Sequence, residues 1–211
     1  LRPHTKTHKS PEIGAEQLRR GAVGLTVATL REAHVMAEVA RDLLIAHPPV
    51  GRPKLDRLLA LPDGLRVSVA LDSTIALDAL SDAASRAGRT FGVLIEADLG
   101  MHRVGEPDPQ RLAALAADAA RRPGVEWRGI LFYPGHIRQH VDEQDSAIAQ
   151  VNDDLQRHLH ALREHGLQPE IVSAGSTPAA FASHRIQGVN EIRPGTYVYN
   201  DRTTAAIGAC D

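Results

Sequence analysis

Cysteine is nearly absent from this sequence: Cys210 is the single one in 211 residues. That excludes an internal disulfide framework and any metal site built on cysteine pairs. His4 and His8 have the spacing of the histidine half of a zinc finger, but the two cysteines that would complete the tetrahedron are missing. A strong net charge is missing too. The 24 Lys and Arg against 26 Asp and Glu leave a formal charge of −2, which supplies no basic field for gripping nucleic acid. No run approaches the roughly 18 apolar residues of a membrane-spanning helix, and no secretory signal is visible. A cytoplasmic location is the default expectation, with neither nucleic acid nor membrane as partner. What remains, 43% hydrophobic and 24% charged, suits one large globular domain with a sizeable core.

The apolar segments alternate in kind along the chain. Ser10 before Pro11 reads as an N-cap, predicting a helix from Pro11 to about Arg20 that stops at Gly21. The β-branched run Ala22 to Ala28 is a strand, and Thr29 with Glu32 is a capping box for a helix to about Ala40. Strands follow at Leu43 to Ala46, Arg66 to Leu71, Phe91 to Asp98, Val125 to Tyr133, Glu170 to Ser173 and Asn190 to Arg193. Helices lie between them, at about Pro53 to Leu61, Thr74 to Ala87, Asp108 to Arg121, Asp145 to His165 and, more briefly, Pro178 to Ser183. With the opening stretch counted as the first strand, about eight strands alternate with helices, the order of a closed (β/α)8 barrel. A doubly wound open sheet is the runner-up, but its glycine-rich dinucleotide fingerprint is missing after the first strand.

In a barrel the chemistry sits at the C-terminal ends of the strands. Those ends carry Lys6 and His8, Thr29, His47, Asp72, then Glu96, Asp98 and Arg103, then Tyr133 and His136, Ser173 to Thr177, and Arg193 to Thr196. If the opening stretch is extended, Lys6 and His8 share one face and Lys9 points to the other; a solvated basic tail is the plainer reading of the same residues. Ser173-Ala174-Gly175-Ser176-Thr177, between a strand and a helix start, suits a phosphate or an ordinary helix cap. The second such turn, Arg193-Pro194-Gly195-Thr196-Tyr197, favours the phosphate. A lysine facing a phosphate site across one mouth is the arrangement wanted for a Schiff base to pyridoxal phosphate.

Four blocks together resemble the D-threonine aldolase and D-serine dehydratase family, fold type III pyridoxal phosphate enzymes related to alanine racemase. They are Arg2 to Glu12, Glu96-Ala97-Asp98-Leu99-Gly100-Met101-His102-Arg103-Val104-Gly105, Ser173 to Pro178, and Glu191 to Tyr197. The resemblance implies that Lys6 forms the Schiff base and that Tyr133 and His136 stand at the ring or substrate. It further implies that Arg103 approaches the ring, that Arg193 faces its nitrogen, and that Ser173, Gly175, Ser176, Thr177, Gly195, Thr196 and Tyr197 surround the phosphate. A surface pairing of Arg103 with Glu106 is the competing reading of that arginine. The implied reaction is a lyase reaction on a small-molecule D-β-hydroxy amino acid; a racemase of the same fold and a non-catalytic cofactor-binding protein are the alternatives. Family members carry a divalent metal in a smaller C-terminal β domain, so residues 1–211 are expected to be a fragment, the cofactor barrel alone, with no metal ligands of its own. A homodimer is implied by likeness.

Overall fold

Local signals set the helices where the sequence places them. Ser10, Thr29, Ser73 and Asp108 each cap a helix by accepting a backbone N–H bond three residues on, from Ile13, Glu32, Ala76 and Arg111. Glu32 closes the capping box by accepting the Ala28 N–H at 2.8 Å. The computed structural model describes residues 1–210; the expected domain end, Asp211, lies outside the described residues. The helices are α1 (Pro11–Arg19), α2 (Leu30–Met36), α3 (Arg52–Leu59), α4 (Thr74–Arg86), α5 (Pro109–Ala119), α6 (Asp145–Glu164) and α7 (Arg202–Ala206). Among the described residues no helix is long and apolar enough to cross a membrane.

Between them run β1 (Leu25–Val27), β2 (Asp42–Ile45), β3 (Arg66–Leu71), β4 (Phe91–Ala97), β5 (Val125–Phe132), β6 (Ile171–Ala174) and β7 (Glu191–Ile192). All pair in parallel and in chain order, forming one seven-stranded sheet. Apolar side chains leave it on both faces, as a sheet covered by crossover helices requires. One set packs under the helices in the main core. The other, Leu44, Ala70, Leu94, Leu131 and Ile171, forms a separate buried cluster on the concave face. The fold is thus a curled α/β sheet with helices outside and its own inner core.

The opening stretch departs from the expected strand. Arg2 to His4 do run extended between the sheet's two ends. The Arg2 N–H bonds the Ile192 carbonyl and the His4 N–H that of Pro194, both at 3.0 Å, while on the other side Pro3 accepts from the Thr26 N–H at 2.8 Å. The Arg2 side chain also joins the two ends, reaching Asp42 at 2.6 Å and Glu191 at 2.7 Å. After His4 the chain turns into a 3-10 helix, Thr5–Thr7, because the His4 ring accepts the Lys6 N–H and the Thr5 carbonyl accepts from His8 and Lys9. Lys6 and His8 therefore do not share a strand face, and the alternation argument separating Lys6 from Lys9 does not hold here. The short helix expected over Pro178 to Ser183 is likewise a run of turns leading to a 3-10 helix at Ser183–Arg185, held by three-residue bonds such as Ala180 N–H to Thr177.

Candidate functional site

Two residues beyond each member of the inner cluster, strand alternation brings the next side chain onto the same concave face. Those positions are Ala46, Asp72, Glu96, Tyr133 and Ser173, a polar layer above the apolar floor. A cavity of about 440 Å³ opens on this side, with Leu131 in its floor and Lys6, Glu96, Arg103, Tyr133, Arg193 and the loops after β6 and β7 in its walls. Its size suits a small ligand.

Lys6 reaches the cavity from the 3-10 turn, its Nζ 5.6 Å from the centre of the Tyr133 ring. The Arg103 guanidinium lies 5.0 Å from the same ring centre, a cation–π arrangement on both counts. Glu106 is taken by Arg111 at 2.8 Å, so Arg103 is not its surface partner. The Tyr133 ring folds back on Gly135, where a Cβ would come within 2.0 Å of it. Lys9 has φ of 53° and a side chain 64% exposed, 3.9 Å from Glu32. Of the two lysines the turn thus delivers Lys6, and not Lys9, to the cavity.

Across the mouth, Gly175, Ser176 and Thr177 face Gly195 and Thr196. Gly175 has φ of +97°, and a Cβ there would press within 2.9 Å of the Ile192 Cβ, so the close approach of these loops needs glycine. Among the described residues the N–H groups of Ser176, Thr177 and Gly195 have no acceptor. No regular α-helix starts at either loop, so these amides, not a helix dipole, offer the hydrogen bonds. Beneath them Arg193 is buried and donates to Ser173 Oγ and, at 2.9 Å, to the Phe132 carbonyl.

Burial dominates the electrostatics. At Lys6, an exposed residue whose amine is partly desolvated by the cavity wall, it pushes the amine below its ordinary value, helped by the positive charges of Arg103 and Arg193. It lowers Arg193 to about 10 against the opposing pull of Glu191 and Glu96, and His4 to about 3, with Lys6 and Arg193 adding repulsion. Glu96 is raised to about 7, again chiefly by burial, with Arg193 and Arg103 pulling the other way.

The structure thus gathers Lys6, Arg103, Tyr133, Gly175, Ser176, Thr177, Arg193, Gly195 and Thr196 around one cavity. Three expected members fall outside its walls. Ser173 is sealed below, its hydroxyl donating to Glu191 at 2.6 Å while accepting from Arg193, so the strand pairing and ion network consume it. Tyr197 turns away, its hydroxyl accepting from Gln17 at 2.8 Å. His136 is exposed at the rim, its ring beside Gly100. Glu96 and His47, expected at the strand ends but given no role in the chemistry, line the cavity, and so does His4, which the sequence did not place there; the spacing of Glu96 from Leu94 puts it on the concave face. Among the described residues no three His, Cys, Asp or Glu side chains gather as a metal site would require.

Curled parallel sheet, outer helices and a cavity at the strands' carboxyl ends define an α/β domain with room for a small ligand at its mouth. Residues 1–203 match the alanine racemase N-terminal domain, and the chain belongs to that family. It is 32% identical over 204 residues to the D-threonine aldolase of Arthrobacter sp, covering 95% of this chain and 54% of that protein. It is 34% identical over 216 residues to the D-threo-3-hydroxyaspartate dehydratase of Delftia sp. (strain HT23), covering 100% and 56%. The crystal structure of D-threonine aldolase from Filomicrobium marinum superposes with a TM-score of 0.92 at 34% identity, covering 97% of this chain and 56% of that one. The chain spans about half the length of these relatives.

Proposed function

We propose that this chain is the cofactor barrel of a pyridoxal-phosphate-dependent lyase acting on D-β-hydroxy amino acids. One observation carries the reading: the Lys6 amine, partly desolvated at the cavity's open side and lowered in pKa, stands against the Tyr133 ring in the same cavity as a cradle of free amides at Ser176, Thr177 and Gly195. Those residues fit pyridoxal phosphate by the chemistry of their donors. An amine that is less protonated at neutral pH is the better nucleophile toward an aldehyde. Unsatisfied loop amides and the hydroxyls of Ser176, Thr177 and Thr196 suit a phosphate. Arg193 and Arg103 bring positive charge to the ring's edge, and Tyr133 offers it an aromatic face. Bound there, the cofactor supplies an electron sink for negative charge at the substrate's Cα. His136, at the rim, would reach only the part of a substrate that projects from the mouth.

The names of the aldolase and dehydratase relatives support the lyase over the racemase alternative. Counting residues 2–4 as an eighth stave makes the sheet a closed (β/α)8 barrel, a reading supported by their hydrogen bonds to both neighbouring segments. The divalent metal implied by the family resemblance is expected on a smaller C-terminal β domain, and the described residues hold no cluster of metal ligands. The test is to incubate the full-length protein with pyridoxal phosphate, a divalent metal and D-threonine or D-serine. Glycine with acetaldehyde, or pyruvate with ammonia, is the expected product; the appearance of neither, or of the substrate's enantiomer alone, defeats the lyase reading.

A further inference from the structure

The buried arginines of this protein all have partners. Arg2 holds Asp42 and Glu191, Arg128 holds Glu170 and Ser68, and Arg193 holds Ser173 and a backbone carbonyl. Glu96 does not. It is 5% exposed, yet among the described residues its carboxylate makes no hydrogen bond and no ion pair. Nor are its oxygens sealed in packed protein, because the sealed atoms without partners are on His8, Gln17, Trp127 and His158. The side chain follows Leu94 on the concave face and opens into the cavity. A buried carboxyl without a partner is costly, and its retention calls for an explanation.

We propose that Glu96 is a ligand-contacting carboxyl, accepting a hydrogen bond from a hydroxyl or protonated nitrogen of the ligand held at Lys6. Its place in the cavity supports this. The loop cradle and the flanking arginines offer donors and positive charge, so a phosphorylated ligand is gripped at its anionic end without help from Glu96. A carboxylate in the same cavity answers a different part of the ligand, one that carries a proton. The groups that face it are Arg193 after β7, Arg103 and Asp98 in the loop after β4, and Asp72 at the end of β3. Lys6, His4 and Tyr133 line the cavity with it. Burial holds the carboxyl close to neutrality, so a ligand donor bonded to it shares a proton across the working pH range.

This inference rests on the cofactor reading, and the experiment separates the two. The full-length wild type and its Glu96→Gln variant, each labelled with carbon-13 at the glutamate side-chain carboxyl, are titrated from pH 5 to 9 with and without pyridoxal phosphate. The cofactor's absorbance is followed in parallel. The Glu96 resonance, identified by its loss in the variant, is expected to titrate near neutrality in the free protein and to move by at least one pH unit when the cofactor is added. The cofactor's absorbance midpoint should differ between wild type and variant by a similar amount, while borohydride still fixes the cofactor to Lys6 in both. A resonance or midpoint that ignores the cofactor and the substitution overturns the role of Glu96. Failure of borohydride to fix the cofactor in the wild type overturns the cofactor reading. In that event inorganic phosphate and the D-amino acid are added as separate probes, and a Glu96 resonance unmoved by either overturns the ligand contact as well.

Discussion

Glu96→Gln has a second consequence, for stability, that can be worked out from two buried groups. In the folded protein the Glu96 carboxyl holds its proton up to about pH 7, against an ordinary value of 4.5. Between those values the folded state keeps a proton that the unfolded chain has lost, so this residue's contribution is intact below pH 4.5 and declines as pH rises through 7. The loss runs at about 1.4 kcal/mol per pH unit and reaches about 3 kcal/mol at pH 7. His4 acts in the opposite direction. Burial keeps it neutral down to about pH 3 against an ordinary 6.5, so its contribution is intact above 6.5 and is lost as pH falls. Where the two windows overlap the slopes cancel, and the wild type owes little pH dependence to the pair. A glutamine in place of Glu96 cannot titrate, so the variant exposes the His4 slope. Urea unfolding of cofactor-free protein at half-unit steps from pH 4.5 to 7.5 reads the Glu96 contribution, since subtracting wild type from variant removes His4 along with every other group. The difference is expected to climb in favour of the variant by about 3 kcal/mol over that range. A flat or falling difference would refute the reasoning, because a carboxyl that ionises at no net cost is not desolvated.

The same geometry sets the outcome of other substitutions. Lys6→Ala should abolish borohydride fixation of pyridoxal phosphate and Lys9→Ala should leave it intact, as read by peptide mapping; a label at Lys9 reverses the assignment of the turn. Gly175→Ala places a Cβ against Ile192 at a φ of +97°, and is expected to cost about 1–3 kcal/mol and to weaken phosphate binding, measured by thermal unfolding and titration calorimetry. An unchanged melting temperature would show that the loop tolerates a side chain. Arg2→Ala removes the ion-pair partner of Glu191, 7% exposed and left with only the Ser173 hydroxyl, and of the mostly covered Asp42, and should cost about 3–5 kcal/mol. Loss of hydrogen-exchange protection at Thr26 and Arg2 would tie that cost to the seam between the sheet's ends.

Much of the fold is legible in the sequence because its signals are local. Ser10, Thr29, Ser73 and Asp108 cap helices through side chains three residues from the amides they bind, and the apolar runs from β2 to β6 fall within a residue or two of their expected bounds. The opening stretch escapes such reading because its turn depends on the His4 ring accepting the Lys6 amide, a bond that no periodicity encodes. Strand alternation singles out Lys6 over Lys9, yet the backbone does not follow that alternation. Ser173 and Tyr197 belong to the right segments, but their hydroxyls are spent on Glu191 and Gln17, residues distant in the chain.

The sequence by itself determined the order of strands and helices, the polar character of the strand ends and the family to which the four blocks point, since spacing, capping and motif are properties of neighbours along the chain. Only the tertiary structure decided which of those polar groups meet in one cavity, that Arg2 joins the two ends of the sheet, and that Glu96 faces the mouth unpaired. These depend on burial and on the summed field of groups such as Arg193 and Arg103, brought within reach of one another only when the sheet curls.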